Sequence, residues 1–318
     1  MKKCLGLPFN IFIEPTELCD YRCIKCQRFY DVYTDDGLIF GSKNMSFFYY
    51  RKVIDDIGDT LLTLRLWYSG EPLLNKDIFR MIEYAKKKDI VVVVSTVLSS
   101  LNASEAERLV KSGLDYLLIS FDGASERTYN LYHGKKHFNK VVDNIRNIVV
   151  AKKKFHFSTP LVELQFIVMK ENESQMNKIK NLSQELGVNK LTYQKLEKSK
   201  INFNKFKDFD SERDILPKNK DYCLNQKEID CIRSCRVPWE ETLIRYSGLV
   251  LPCCIDLAQK YKMGRLFQRG EYIGFRNIWN SNNYQDFRNQ IVNRIDKIDI
   301  CSNCSKKDNS CEDHIQFK

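Results

Sequence analysis

Cys19-Asp20-Tyr21-Arg22-Cys23-Ile24-Lys25-Cys26 places three cysteines at a C-x3-C-x2-C spacing, directly after a stretch, Phe9–Glu14, that reads as a first β-strand. Three thiolates this close in the chain can wrap one corner of an iron–sulfur cubane, each holding a separate iron. Three ligands for four irons leave one iron open, and an open iron can bind a substrate. Zinc would ask for a fourth protein ligand, and no His or Cys follows closely.

The rest of the cysteine inventory supports metal or redox chemistry. The 318-residue chain carries 12 cysteines but only 4 histidines, which disfavours a His-rich zinc enzyme. In a reducing compartment so many cysteines are not expected to be structural disulfides. They cluster at two ends. Cys19, Cys23 and Cys26 lie near the start, and Cys223, Cys231, Cys235, Cys253, Cys254, Cys301, Cys304 and Cys311 lie in the last third, with none between Cys26 and Cys223. Hydrophobic residues at 43% and charged residues at 29% give enough apolar material for a packed core and exclude global disorder.

Outward from the cysteine loop the pattern alternates. A helix is expected over Ser46–Ile57 with Ser46 as N-cap, then a strand Thr63–Tyr68, a Ser69-Gly70-Glu71-Pro72 turn and a helix Lys76–Lys88. Ile90–Ser95 is a β-branched strand of the fully buried kind, and Ser104-Glu105-Ala106-Glu107 reads as a capping box opening a helix that Gly113 ends. Asp115–Phe121 is a strand, followed by helices over Ala124–Lys154, a strand Leu161–Met169, a helix Glu173–Leu186 closed by Gly187, and a strand Lys190–Tyr193. Strands alternating with helices imply right-handed βαβ units around a parallel sheet. The count is about six units, short of the eight of a full barrel, so the sheet is expected to be an open or partial barrel.

The sequence from Glu14-Pro15-Thr16 through Cys26 resembles the signature loop of the radical S-adenosylmethionine (SAM) superfamily. The resemblance implies a partial (β/α)6 barrel and a catalytic [4Fe-4S] cluster whose open iron is chelated by the amino and carboxylate groups of SAM. One electron then cleaves SAM to methionine and a 5′-deoxyadenosyl radical, which takes a hydrogen from the substrate. An electron donor such as flavodoxin or ferredoxin is implied as partner. Ser69-Gly70-Glu71-Pro72 resembles the family's GGEP segment: Gly70 permits close backbone approach and Glu71 can accept hydrogen bonds from an ammonium group. Ser120-Phe121-Asp122-Gly123 resembles its S-x-D-G segment, which makes Ser120 and Asp122 candidates to face the ribose of SAM or the substrate. Ser95-Thr96 adds a further candidate for SAM contact. The sequence departs from its relatives at Lys25, where an aromatic or apolar residue is common, at Val97-Leu98, where many have Asn-Gly, and at His133-Gly134, where Arg-x-Gly is frequent.

The second cysteine set is spread out. A hairpin signal, Thr242–Tyr246 and Leu249–Cys253 around Ser247-Gly248, would bring Cys253 beside Cys235, and Cys301-x2-Cys304 would close a four-thiolate site. By spacing alone, a structural zinc and a four-iron cluster are both open. Cys235-Arg236-Val237-Pro238-Trp239, Pro252-Cys253-Cys254-Ile255-Asp256, Met263-Gly264-Arg265-Leu266 and Ile278-Trp279-Asn280 resemble the SPASM domain of radical SAM enzymes, and so imply an auxiliary [4Fe-4S] cluster. Cys231, Cys254 and Cys311 make a second auxiliary cluster conceivable, but one is expected because the sequence ends shortly after Cys311. Such a cluster could accept an electron from a substrate radical, giving oxidation. A thiol among Cys4, Cys223, Cys231, Cys254 and Cys311 could instead return a hydrogen atom, giving epimerisation, although each is more often an inert buried thiol.

The expected organisation is therefore α/β: a radical SAM partial barrel over residues 1–196, a connector over 197–230, and a small Cys-rich α+β SPASM-type domain over 231–318. The net charge of +10 suits an anionic partner. The basic runs Lys86–Lys88, Lys135–Lys136 and Lys152–Lys154 sit near helix ends, where they complement the macrodipole. No continuous basic face with interleaved aromatics is evident, so a nucleic-acid partner is not expected. The longest apolar runs fall far short of a membrane span, and a cytoplasmic protein is expected. The sequence opens almost at its first strand, which points away from a separate leader-peptide recognition domain. The first expectation for substrate is a small molecule, an anionic sugar, nucleotide-sugar or polyol, with a peptide as the alternative. A non-enzymatic scaffold with a structural zinc is the third reading.

Overall fold

The computed structural model describes residues 6–24, 26, 43–195, 217–222, 235–302, 304 and 312–316. Lys25, Cys4, Cys223, Cys231, Cys311 and most of the 197–230 connector lie outside the described residues.

Six strands and six helices alternate along the first part of the chain: β1 (Asn10–Ile13), α1 (Phe47–Ile57), β2 (Thr63–Arg65), α2 (Ile78–Lys86), β3 (Val91–Thr96), α3 (Ala103–Lys111), β4 (Tyr116–Ser120), α4 (Glu126–His133), α5 (Phe138–Phe155), β5 (Leu161–Ile167), α6 (Met176–Leu186) and β6 (Lys190–Gln194). The six strands lie side by side in chain order, all parallel. This is the expected partial (β/α)6 arrangement.

Alternation along each strand sorts side chains onto two faces. Ile11, Ile13, Leu64, Val92, Val94, Leu117, Ile119, Leu164 and Phe166 are fully buried in the core that also contains Ile54, Ile82, Leu109 and Ile145 of the helices. Each such side chain contributes about 1.5–3 kcal/mol when removed from water. Residues of the other parity, among them Phe12, Arg65, Ser95, Ser120, Glu163, Gln165 and Gln194, face the opposite side, and there the strands turn polar.

Local signals explain the boundaries. The Ser46 hydroxyl accepts from the Tyr49 amide and starts α1. Gly134 (φ 67°) and Gly187 (φ 71°) end α4 and α6 in the left-handed conformation. The capping box of α3 is Asn102 with Glu105, bonded reciprocally at 3.0 and 2.9 Å, and not Ser104 with Glu107. The helix begins at Ala103, so Ser104 is already inside its first turn and the asparagine upstream takes the cap.

The C-terminal part continues the same sheet. β7 (Glu241–Ile244) pairs in parallel with β1, and β8 (Leu249–Leu251) and β9 (Gly264–Arg265) follow antiparallel. The hairpin turns at Gly248 (φ 77°). β10 (Phe267–Gln268) and β11 (Glu271–Tyr272) form a separate ribbon, and β12 (Glu312–Gln316) pairs antiparallel with β6 at the other end of the sheet. The short helix Phe275–Trp279 leads to α7 (Asn282–Arg294), capped by Ser281. The fully buried Arg288 fastens this region: its guanidinium donates to the carbonyls of Pro238 and Trp279 and lies over the Trp279 and Tyr284 rings. Asp56 of α1 accepts from the Tyr272 hydroxyl and the Phe275 amide, joining the C-terminal unit to the barrel helices. No helix among the described residues is long and apolar enough to cross a membrane.

Candidate functional site

The loop after β1 carries the first three cysteines and is fixed at its far end to α4. Arg22 N donates to His133 O (3.3 Å), Ile24 N to Tyr132 O (2.9 Å), and Cys26 N turns back to Cys23 O (2.9 Å). Burial, together with the neighbouring Cys26 and Cys19 thiols and Asp122, holds the Cys23 thiol well above its ordinary pKa. The Cys19 and Cys26 thiols therefore both lie within electrostatic reach of Cys23. No three His, Cys, Asp or Glu side chains among the described residues converge as ligands of one metal ion. Three thiolates from one loop are the donor set of an iron–sulfur cubane, each holding a separate iron.

The Ser69-Gly70-Glu71-Pro72 turn sits against the start of that loop. A Cβ at Gly70 would come to 2.1 Å from Thr16 O, so only glycine allows this approach. Glu71 N donates to Leu18 O at 2.8 Å. The Glu71 carboxylate is buried and already accepts from Leu73 N (3.1 Å), Thr96 Oγ1 (2.5 Å) and Val97 N (2.9 Å). Burial outweighs these bonds and pushes its pKa up to about 7. Ser69 donates from both its amide and its hydroxyl to Glu14, which is fully buried. The two carboxylates thus brace the turn from inside.

Val97-Leu98, one of the departures from the family pattern, acquires a physical reading. Leu98 has φ 56°, a conformation that suits the glycine many relatives carry there. Its fully buried side chain and the bonds from Leu98 N to Thr96 Oγ1 and from Asn144 to Leu98 O hold it in place.

At the C-terminal ends of β4–β6 the polar face closes on a cavity of about 150 Å³, walled by Cys23, Cys26, Ser120, Asp122, Gln165 and Gln194 among others. Ser120 is paired in register with Gln165. Asp122 is buried and accepts from Ile167 N at 2.7 Å. Gly123 lets the chain turn under the start of α4, since a Cβ there would lie 2.2 Å from Tyr129 N. Ser95 is on the same sheet face, but at the end of its strand the cavity wall is Val97. Thr96 points to the other face, toward Glu71.

Four residues contribute to the site in ways the sequence did not reveal: His133, noted there only as a departure, and Gln165, Gln194 and Arg245, not noted at all. His133 is fully buried, with Nδ1 3.3 Å from Cys23 Sγ and Nε2 3.3 Å from Asp122 Oδ2, so one imidazole joins a cluster-loop thiol to the S-x-D-G aspartate. Gln165 and Gln194 were detectable as the polar positions sharing the parity of Ser120 on strands whose other face is apolar. Arg245, a charged residue inside an apolar hairpin, is 2% exposed. Its Nε donates to Glu14 and its Nη2 lies 3.1 Å from Glu17. Those two carboxylates hold the guanidinium charged against its burial cost. Glu14 therefore links the Ser69 turn to the C-terminal hairpin.

Two cations on the polar sheet face are paired: Arg65 with Glu241 at 2.8 Å and Lys190 with Glu163 at 3.2 Å. Glu163 also accepts from Tyr116 and Thr192, so this part of the face is internally satisfied.

In the C-terminal unit, Cys301 lies within electrostatic reach of Cys235 and Cys304. Burial, those thiols, and Asp299 and Asp256 push its pKa up to about 12. Cys253 neighbours Tyr284. Cys254 instead packs with Trp67 and Tyr68 against Phe12, Leu243, Leu249 and Leu251, on the side of Phe12 that faces away from the helix core. The adjacent cysteines therefore serve different surroundings.

The family model for the radical SAM superfamily matches residues 13–182, and that for SPASM, an iron-sulfur cluster-binding domain, matches residues 235–305. Pre-heme d1 synthase of Dinoroseobacter shibae is 27% identical over 186 residues, 58% of this chain and 43% of that protein. The probable GTP 3′,8-cyclase of Saccharolobus islandicus is 25% identical over 206 residues, 65% of this chain and 63% of that protein. The chain thus spans less than two thirds of the length of these relatives. Streptococcus suis SuiB bound to S-adenosylmethionine superposes with a TM-score of 0.63 at 13% identity, over 95% of this chain and 73% of that one. BtrN in complex with AdoMet and 2-DOIA gives 0.54 at 17% identity, over 95% and 94%. At these identities the structural likeness is one of fold.

Proposed function

The chain belongs to the radical SAM superfamily, and from that membership we propose an enzyme that oxidises or epimerises a small polar substrate, such as a sugar or another natural product. The superfamily brings SAM and a catalytic [4Fe-4S] cluster, and the SPASM domain brings an auxiliary iron–sulfur centre. Bound together, SAM and the catalytic cluster supply a 5′-deoxyadenosyl radical for hydrogen abstraction. Cys19, Cys23 and Cys26 are the residues assigned to that cluster, and Cys235, Cys253, Cys301 and Cys304 to the auxiliary one.

The observation that carries the reading is the single cavity onto which Cys23, Cys26, Ser120, Asp122, Gln165 and Gln194 converge. His133 orients the Cys23 sulfur and fixes Asp122 against it. Glu71 and Glu14 hold the Ser69–Pro72 turn, leaving its backbone to meet the amino end of SAM. Ser120, Gln165 and Gln194 offer hydroxyl and amide groups that suit a neutral hydrogen-bonding ligand. The described lining of the cavity carries the Asp122 carboxylate and no lysine or arginine, so the substrate reading shifts from anionic to neutral polar. Oxidation would use the auxiliary centre as electron acceptor. Epimerisation would use a thiol, for which Cys254 has the right sheet face.

The test is 5′-deoxyadenosine release from anaerobically reconstituted protein with a low-potential reductant. Wild type forms it and Cys26→Ala does not; undiminished release from Cys26→Ala would sink the assignment. Adding sugars or peptides and working in D2O extends the assay. Deuterium at the abstracted carbon of the product marks epimerisation, and an oxidised product marks electron transfer.

A further inference from the structure

The basic runs of the chain differ in how their charge is used. Lys86 pairs with Asp115 at 2.7 Å, Lys88 with Asp59 at 2.7 Å, and Lys154 with Glu107 at 2.6 Å. Lys135 and Lys136, and Lys140 one turn into α5, make no ion pair among the described residues. Arg22, Lys136 and Lys140 are exposed, and Lys135 is half-buried. The nearest acid along α5, Asp143, is 3.2 Å from Arg146. Asp20 is exposed in the described part of the cysteine loop.

This unneutralised group lies on the outer side of the cysteine loop. The loop is bonded to the end of α4 through Arg22 and Ile24, and Gly134 packs directly on Arg22, where a Cβ would come to 3.1 Å from its carbonyl oxygen. The chain then runs through Lys135 and Lys136 to His137. The half-exposed His137 ring puts Nδ1 3.1 Å from the hydroxyl of Tyr21, which stands between Cys19 and Cys23 and also bonds Tyr129 at 3.2 Å. A positively charged surface therefore connects by one hydrogen bond, from His137 to Tyr21, to a residue of the cysteine loop.

We propose that Arg22, Lys135, Lys136 and Lys140, around His137, form the docking face for an acidic one-electron donor protein. The inference rests on Cys19, Cys23 and Cys26 holding the reducible cluster. In the encounter one electron leaves the donor's reduced centre and enters that cluster, so the donor is oxidised by one electron and the cluster reduced by one. Unpaired lysines attract an acidic partner over a distance set by ionic strength and raise its association rate. A small, salt-sensitive interface is what a transient electron-transfer encounter requires.

The experiment uses the reconstituted holoenzyme, the Lys135→Glu/Lys136→Glu variant, and Lys178→Glu/Lys180→Glu on the exposed face of α6 as a control with the same charge change. Affinity for oxidised flavodoxin, an acidic donor, is titrated at low and high salt. Cluster reduction is then followed with reduced flavodoxin and, separately, with dithionite. The expected result is at least tenfold weaker binding and slower flavodoxin-driven reduction in the 135/136 variant alone, a difference that shrinks with salt, with iron content and dithionite rate unchanged. Equal losses in both variants, or none in either, would overturn the docking face. A wild-type protein with no dithionite-reducible cluster would instead overturn the cluster assignment on which it rests.

Discussion

As proposed ligand sets, the two cysteine regions differ in how the chain brings them together. Cys19, Cys23 and Cys26 occupy one loop whose ends are pinned by β1 and by backbone bonds to α4, so their proximity is local. Cys235, Cys253, Cys301 and Cys304, the set proposed for the auxiliary centre, come from a segment before β7, the residues after β8 and the turn at 301–304; Cys301 lies within electrostatic reach of Cys235 and Cys304, while Cys253 lies beside Tyr284, which packs with Arg288 and Trp279. A ligand set confined to one loop survives changes elsewhere in the fold. A distributed set depends on tertiary structure and should be lost with it. The buried Glu14–Arg245 pair is where the two regions meet, because Glu14 opens the first loop and Arg245 directly follows β7.

Breaking that pair gives the largest effect on stability. Arg245→Met leaves Glu14 buried and unpaired, and thermal or denaturant unfolding should show a loss of about 3–5 kcal/mol. Adding Glu14→Gln should recover part of it. A loss within the range of an exposed pair such as Arg146–Glu185 would mean that the two regions are not coupled through this contact.

A smaller effect belongs to Glu71 and to the first region alone. Its folded pKa, about 7, lies above the value of an exposed glutamate, so the folded state holds a proton that the unfolded state releases. Its contribution is fully favourable below the unfolded pKa and is lost as pH rises through about 7. The loss is on the order of 3 kcal/mol. Unfolding free energies of the metal-free protein across this range should fall with pH for wild type and lose that slope in Glu71→Gln. An unchanged slope would assign it to other groups.

The difference between the regions also governs what the sequence could reveal. The cysteine loop, the Ser46 cap, the order of strands and helices, and the turns at Gly70 and Gly123 follow from local spacing and chain stereochemistry, and all were legible. The hairpin around Gly248 was legible too, but not its parallel pairing with β1, because nothing local to either strand specifies a partner so far along the chain. The burial of Glu14 and Arg245 was hidden for the same reason: each looks like a surface charge until its partner is known. His133 was visible only as a departure from the family pattern, and its place between Cys23 and Asp122 depends on how α4 packs against the loop. The α3 cap was misplaced by two residues because two overlapping patterns, Asn102-x-x-Glu105 and Ser104-x-x-Glu107, satisfy the same rule.

The central claim is that both regions hold iron–sulfur clusters, one by local and one by tertiary ligation. Iron and zinc per chain in the anaerobically reconstituted wild type and in Cys253→Ala test it most directly. The account predicts about eight irons in wild type, falling to about four in the variant, with SAM cleavage retained. About four irons with one zinc in wild type would contradict it, making the C-terminal site structural and leaving an oxidation without its electron acceptor.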